Sequence, residues 1–325
     1  MEGGAVLPVK TDGTRLLAAA ALVTGIFVFS LQDLILKWVS GTYPLTEAVA
    51  IRSTTALVIL LMWIGFNEGL HKIFSRRWRA LALRGSILMI AYGTYYLAFP
   101  AMKLAEVVTL FFMAPIFITA LAHPLLGERV GFTRWLAVLA GFSGVIVCYW
   151  PEIFGGGQGV ALDWALLLPV IAALTYALPQ VMARRLGPTE SASVMGFYQN
   201  FMYLIWVLVL AAVFSFGHID ETDLHPSLAF LLRPWSFENM WDIALLAACG
   251  PISAIGTVLL SQAYRMTEAN FVATFEYTGL IWAAMWGFLV WREIPDLYMV
   301  AGAALIVGAG LFMLFSGKRA GSPAA

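Results

Sequence analysis

Apolar residues along this chain gather into ten segments of helix length, separated by short polar stretches. A bilayer core of ~30 Å is crossed by roughly 20 helical residues, and each segment is near that length. The pattern therefore predicts an all-α polytopic membrane protein with ten transmembrane helices. The predicted spans are residues 15–39, 44–66, 80–99, 104–125, 132–150, 161–185, 191–216, 240–264, 269–290 and 296–316.

The composition excludes a soluble globular protein. Apolar residues make up 61% of the 325 residues and charged residues only 12%, whereas soluble domains are ~45–50% apolar. So little polar surface cannot cover a core in water, but a surface that faces lipid must itself be apolar. Both cysteines, Cys148 and Cys249, fall inside apolar segments, so we expect no disulfide and no metal site.

Lysine and arginine residues set the expected orientation. If the N-terminus is cytoplasmic, 14 of them, Arg84 included, fall on the inner side and four on the outer side. Cytoplasmic loops carry an excess of Lys and Arg, so this bias predicts that both termini are cytoplasmic and that the number of spans is even. Most connections are short, which predicts that consecutive helices are antiparallel neighbours.

The two halves of the chain resemble each other. Ala105–Glu106 matches Ala269–Asn270 at an offset of 164 residues (270 − 106), and Gly144 and Gly308 recur at the same offset. Each half holds five spans, an odd number, so the two copies must be inverted in the membrane. The predicted parts are a cytoplasmic N-terminal tail, a first five-helix repeat, an outer connecting loop, a second five-helix repeat and a cytoplasmic C-terminal tail. Their residues are 1–14, 15–150, 151–160, 161–316 and 317–325.

Several residues in this duplicated order are typical of one family. They are Asp33, Lys37, Pro44, Arg52, Ala101, Ala105, Met113–Ile116, Leu126–Arg129, Gly141 and Gly144, followed in the second copy by Trp291–Glu293 and Gly302. On these residues the chain resembles the drug/metabolite transporter superfamily, in its EamA-type ten-helix branch, over roughly residues 15–316. The second copy departs from the pattern, because Gly279 stands where Pro115 would repeat and Gly196 stands opposite Arg52. Strict functional symmetry between the halves is therefore not expected.

The resemblance implies a transporter of small metabolites in the cytoplasmic membrane. It also implies a central cavity lined mainly by the first, third, fourth, sixth, eighth and ninth helices. Members of the family carry amino acids, sugars, nucleotide sugars, vitamins and quaternary amines, so the fold does not fix the substrate. The chain has no GxxxxGK[ST] motif and is not expected to hydrolyse ATP itself.

Three charges inside the predicted spans are candidates for function, because a charge at mid-bilayer depth costs ~2.5 kcal/mol or more. Asp33 and Arg52 lie at similar depths in adjacent spans. They form a structural ion pair, or else Asp33 faces a cavity and binds substrate or a proton. Glu276 has no obvious basic partner, which favours a proton carrier or the counter-charge of a cationic substrate.

Aromatic residues lie at similar depth. Tyr92 and Tyr96 share one helix face, as do Tyr176 and Gln180, and Tyr277 follows the deep acid. Rings around one acid can enclose an amine through cation–π contacts; helix packing and the interfacial aromatic belt are the alternative. The predicted substrate-binding residues are Tyr92, Tyr96, Tyr176, Gln180, Glu276 and Tyr277, and the predicted buried or coupling charges are Asp33, Arg52 and Glu276.

The sequence thus predicts a secondary transporter that moves an amine or zwitterion, such as an amino acid, a carnitine-like amine or S-adenosylmethionine, across the inner membrane by alternating access. A carboxylate or vitamin transporter that uses Arg52 is the alternative of the same fold. An intramembrane hydrolase is the alternative of another class, but no GxSxG motif frames a serine, so no enzymatic activity is expected.

The expected partners are a small metabolite, the lipid bilayer and, if transport is coupled, protons. We expect no cofactor and no nucleic-acid partner. The sequence leaves open the choice between proton coupling and facilitated exchange, the direction of transport, and the choice between monomer and homodimer.

Overall fold

The computed structural model describes residues 12–127, 132–148, 150, 163–214, 224–237, 239–294 and 296–319, which are helical and contain no strand. The α-helices are α1 (Asp12–Val39), α2 (Leu45–Asn67), α3 (Trp78–Leu97), α4 (Leu104–Phe111), α5 (Ala114–Leu126), α6 (Phe132–Cys148), α7 (Leu167–Leu186), α8 (Ala192–Phe214), α9 (Pro226–Leu232), α10 (Met240–Met266), α11 (Ala269–Ala273), α12 (Thr278–Trp291) and α13 (Leu297–Arg319). Short 3₁₀ helices lie at Leu70–Ile73, Trp164–Leu166 and Thr274–Tyr277. The predicted connecting loop 151–160, the Glu128–Arg129 turn and much of both tails lie outside the described residues.

Helices occupy all ten stretches that the sequence predicted as spans. In lipid a chain must satisfy its backbone hydrogen bonds internally, and a helix does so within one segment. Within the described residues, six helical stretches are long and apolar enough to cross a membrane: Gly13–Val39, Leu45–Asn67, Leu104–Ala122, Trp164–Leu186, Ala192–Phe214 and Met240–Met266. The other four predicted spans, at α3, α6, α11–α12 and α13, are helical but shorter, broken or less apolar. The count of ten crossings stays a prediction.

The fourth and ninth predicted spans are broken where the sequence indicated continuous helices. α4 and α5 are separated at Phe112–Met113, just before Pro115, whose nitrogen has no hydrogen to donate to the preceding turn. In the ninth span the 3₁₀ segment Thr274–Tyr277 separates α11 from α12. Phe112 and Glu276 are 164 residues apart (276 − 112), which is the offset of the sequence repeat. Both copies therefore break at the equivalent turn.

Helices of the first half pack mainly against helices of the second half. α1 lies along α10 and α12, α3 lies along α7 and α8, α2 packs on α8 and α10, and α6 packs on α13. Helices that are consecutive in the chain contact each other little, so the expectation that short connections make them close neighbours is wrong. A short connection fixes the relative direction of two helices, but complementary faces decide which helices pack.

The packing is symmetric when the two halves are exchanged. The contact of α1 with α10 corresponds to that of α7 with α3, and the contact of α2 with α10 corresponds to that of α8 with α3. The pairs α2–α8 and α6–α13 each map onto themselves. The same set of helix interfaces is thus used twice.

One interface between the halves brings two backbones into contact. A Cβ atom added at Gly250 of α10 would lie 1.9 Å from Thr55 Oγ1 and 2.8 Å from the backbone nitrogen of Ala56 on α2. The Thr55 hydroxyl also donates a hydrogen bond to the carbonyl of Ala247 at 3.1 Å. A small residue at the crossing allows this approach, as is common between membrane helices.

Arg84 is buried rather than exposed on the inner surface. Its side chain is 2% exposed. Nε donates to the carbonyl of Pro179 at 3.1 Å, and Nη2 donates to Ser261 Oγ at 3.3 Å. This arginine therefore joins α3 to α7 and α10, and the excess of Lys and Arg on the inner side persists without it.

Candidate substrate-binding site

A cavity of about 650 Å³, counting the space that opens to solvent, lies between two groups of helices. Residues of α1, α10 and the stretch 276–286 line one side, and residues of α3, α4 and α7 line the other. These are the six predicted spans that the family resemblance implied. Most of the lining is apolar or aromatic, and its polar members are Ser30, Asp33, Tyr92, Tyr95, Tyr176 and Glu276. A mostly apolar lining with a few convergent polar groups is typical of a site for a small molecule.

Glu276 is the acid at the broken turn of the ninth span. It lines the cavity and is only 5% exposed. Its Oε1 accepts a hydrogen bond from the hydroxyl of Tyr176 at 3.0 Å and a second from the hydroxyl of Tyr264. Its Oε2 is buried without a hydrogen-bond partner among the described residues, where no basic side chain pairs with the carboxylate either. A positive charge or a proton at Oε2 would remove the cost of this unpaired acceptor.

Asp33 belongs to α1 and also lines the cavity. Its Oδ2 accepts a hydrogen bond from the hydroxyl of Tyr95 at 3.0 Å. No ion pair within 4.0 Å joins it to Arg52, and both residues are described. Of the two interpretations that the sequence left open, the geometry favours an acid that faces the cavity.

Arg52 lies behind the cavity wall and is 1% exposed. Nη1 donates to the hydroxyl of Tyr96 at 3.3 Å. The guanidinium carbon lies 5.7 Å from the ring centre of Tyr96 and 5.2 Å from that of Tyr203. Such cation–π contacts stabilise a buried positive charge without neutralising it.

Tyr92 is the centre of an aromatic cluster. Its ring contacts those of Phe29, Tyr96, Tyr176 and Tyr203, with centroid distances of 5.8 to 6.2 Å. The ring faces the cavity on one side and the surroundings of the buried arginine on the other. Its hydroxyl makes no hydrogen bond within the part of the chain that the structure describes, so ring contacts alone hold it in place.

Residues 16–150 match the EamA-like transporter family. The chain is also similar to three curated proteins that are named as transporters of small metabolites. The pseudopaline exporter CntI of Pseudomonas aeruginosa is 26% identical over 86% of this chain and 90% of its own length. The S-adenosylmethionine uptake transporter of Rickettsia bellii is 25% identical over 90% of this chain and 91% of its own length. The riboflavin transporter of Rhizobium johnstonii is 28% identical over 74% and 72%.

The chain is thus similar to EamA-like transporters, through the match of residues 16–150 and through these relatives. It is accordingly a multi-pass membrane protein and a transporter rather than an enzyme. A solved crystal structure with 17% sequence identity superposes with a TM-score of 0.68 over 94% of this chain and 99% of the other, which shows that the whole fold is shared.

Three of the predicted binding residues do not line the cavity. Tyr96 is fully buried behind the wall, where its hydroxyl accepts a hydrogen bond from Gln32 at 2.6 Å. Gln180 lies one helical turn beyond Tyr176 and is 2% exposed. Tyr277 packs edge-on against Phe112 at 5.5 Å. Successive residues of a 3₁₀ segment point about 120° apart, so Tyr277 cannot share the direction of the acid that precedes it.

The structure also brings in residues that the sequence did not assign to the site. Tyr264 lies at the predicted end of its span, a position typical of interfacial aromatic residues, yet it is fully buried and holds Glu276. Tyr95 donates a hydrogen bond to Asp33, although it was not assigned to the helix face that Tyr92 and Tyr96 were predicted to share. The spacing of Phe29 and Asp33, four residues apart on α1, was the available signal for a shared face.

Proposed function

We propose that this transporter moves an amine or zwitterion across the membrane by secondary transport. The observation that carries the proposal is the buried carboxylate of Glu276, which faces an aromatic cavity with one oxygen unpaired. A cationic nitrogen there would donate a charge-assisted hydrogen bond to Oε2 and would lie near the rings of Tyr92 and Tyr176. The relatives include transporters named for S-adenosylmethionine, a molecule that is itself a positively charged amino acid. A substrate with a carboxylate alone is less well supported, because Arg52 does not line the cavity.

The proposed mechanism is alternating access between two groups of helices. α1 packs on α10 and α12 on one side of the cavity, and α7 packs on α3, α4 and α5 on the other, while α4 also contacts α12. Each group contains helices from both sequence halves, so the moving units differ from the halves themselves. The breaks at Phe112–Met113 and Thr274–Tyr277 lie where the groups meet, and bending at both would expose the cavity to one side at a time. Broken helices at a central site are common in transporters.

The proposed topology is ten spans in two inverted five-helix repeats, with both termini in the cytoplasm. The symmetric helix packing and the equivalent breaks support the repeats. The family match at residues 16–150 supports a first repeat at 15–150, and the second repeat is proposed at 161–316. The excess of inner-side Lys and Arg supports the orientation, and the bacterial relatives support the inner membrane.

Ligand-induced thermal stabilisation of the purified protein in detergent tests the proposal, because a bound ligand raises apparent stability by mass action. The ligands are amines, zwitterions, carboxylates and sugars at matched concentrations. Stabilisation by amines or zwitterions is the expected result, and their uptake into proteoliposomes with and without a pH gradient then separates proton coupling from exchange. Stabilisation by carboxylates or sugars alone would overturn the proposal.

A further inference from the structure

Arg52 is a buried charge whose hydrogen-bonding capacity is mostly unused. Its Nε and Nη2 atoms are buried without a hydrogen-bond partner, and no carboxylate lies within ion-pair distance among the described residues. A buried guanidinium normally pairs with a carboxylate or has all its donors satisfied, because an unpaired buried charge is costly. The side chain therefore has free donors for a group that the protein itself does not supply.

Arg84 provides a comparison within the same molecule. It is buried to a similar degree, but it donates hydrogen bonds to the carbonyl of Pro179 and the hydroxyl of Ser261. These contacts join three helices. The hydrogen bonds of Arg84 thus account for a structural role. The single hydrogen bond of Arg52 leaves two of its nitrogen atoms without a partner in the described part of the chain.

The surroundings of Arg52 fit a planar anion. The rings of Tyr96 and Tyr203 lie 5.2 to 5.7 Å from the guanidinium carbon, and Nη1 is engaged by the Tyr96 hydroxyl. The Nε and Nη2 edge is free, and this edge of a guanidinium matches the two oxygens of a carboxylate. Both rings contact Tyr92, which lines the cavity and makes no hydrogen bond in the described structure. Tyr92 is therefore the ring that would have to move for a substrate in the cavity to reach Arg52.

We propose that Arg52 binds a carboxylate of the substrate while Glu276 binds its amine, so that the transported molecule is a zwitterion of the amino-acid type. This inference rests on the proposed function and narrows it. A zwitterion gives Glu276 and Arg52 a partner each and itself adds no net charge to the membrane interior. A simple amine would leave the arginine donors unsatisfied, and a simple acid would leave the glutamate oxygen unsatisfied.

The test measures dissociation constants by ligand-dependent thermal shift for three matched series of probes. The probes are leucine, phenylalanine and methionine, each compared with its decarboxylated amine and its deaminated acid. In the wild type, each of these amino acids that binds should have a dissociation constant at least about tenfold lower than that of its decarboxylated amine. One charge-assisted hydrogen bond has an effect of this size. In Arg52→Gln this ratio should fall to about one, and Arg52→Lys should keep part of it, since lysine supplies a point charge without the fork.

Arg84→Gln is the matched control. It removes a second buried guanidinium, so it should lower the melting temperature while leaving the ratio of amino-acid to amine affinity unchanged. An unchanged ratio in Arg52→Gln would overturn the inference. So would a wild type that binds no zwitterion of the three series, or binds none better than its amine.

The two proposals fail in different ways. If Glu276→Gln leaves amine binding at the wild-type level, the proposed function is wrong at its central residue. The carboxylate site is then judged on the deaminated acids alone, whose binding must still be lost in Arg52→Gln. If amine binding depends on Glu276 but no probe responds to Arg52, the proposed function stands and this inference is wrong.

Discussion

Replacing Glu276 by Gln should separate substrate binding from folding. The substitution keeps the shape of the side chain and an oxygen that can still accept from Tyr176 and Tyr264, but it removes the negative charge. Both hydrogen bonds to Oε1 can therefore persist, and the buried unpaired charge disappears. We expect the melting temperature of the purified variant to be unchanged or higher, because a buried charge without a partner is destabilising.

The same substitution should weaken binding of a cationic substrate. A hydrogen bond to a charged group makes a net contribution of about 1.5–3 kcal/mol. Its loss corresponds to about 10- to 100-fold in the dissociation constant. The assay is uptake of the best-stabilising amine or zwitterion into proteoliposomes across a range of pH. If Glu276 carries a proton during the cycle, the variant should also lose the pH dependence of transport.

Glu106 offers the matched control for this experiment. It occupies the first turn of α4, where its Oε2 accepts a hydrogen bond from the backbone nitrogen of Lys103 at 3.1 Å, and it does not line the cavity. Glu106→Gln removes an acid of similar type and should leave the affinity of the substrate unchanged. Transport by Glu276→Gln at the wild-type rate at every pH would refute the role of this carboxylate.

Three further predictions concern stability. Gly250→Ala should lower the free energy of unfolding by about 1–3 kcal/mol, because the added methyl group overpacks against the backbone of α2. Gly308→Ala is the control and should not lower it, because an added Cβ there meets nothing within 4 Å. Equal melting temperatures of the two variants would contradict the close approach of α10 and α2. Lys37→Met should destabilise by about 1–3 kcal/mol, because it leaves the partly buried Glu293 without its partner at 3.6 Å, and adding Glu293→Gln should restore part of the loss in a double-mutant melt. Hydrogen bonds from a backbone N–H and a histidine hold the pKa of Asp163 below its ordinary 3.8. The stabilisation by this helix cap, about 1 kcal/mol in comparison with Asp163→Ala, should therefore be present at neutral pH and be lost as the pH falls through the lowered pKa. Melting curves of both proteins at several pH values check this prediction.

The helices could be predicted from the sequence because a membrane span is recorded in one property, the length of an apolar run. The second predicted span, 44–66, corresponds to Leu45–Asn67, and the seventh, 191–216, to Ala192–Phe214. The break at Thr274–Tyr277 leaves no such record, since the apolar run continues through it. Which helices pack together depends on complementary faces of distant segments, and hydropathy does not report those.

The candidate site was partly predictable for the same reason. Asp33 and Glu276 are conspicuous because a charge inside an apolar run is rare, and both line the cavity. Tyr264 was overlooked because an aromatic residue at the end of a span has an ordinary interfacial explanation. Tyr277 was included because it neighbours Glu276, but the 3₁₀ geometry turns it away. Depth can be read from sequence position, whereas direction depends on local backbone geometry.

The packing of each half against the other has a consequence for synthesis. When the helices of the first half have been made, the helices against which they pack do not yet exist. Arg52 and Gln32, buried in the complete protein, must then lie among lipid, water or the insertion machinery until α8 and α10 follow. Formation of the compact state is therefore postponed until the second half is inserted, as expected where contacts join distant parts of a chain. The intermediate in which only the first half has been made is the stage most exposed to degradation, and a ribosome that pauses there prolongs the exposure.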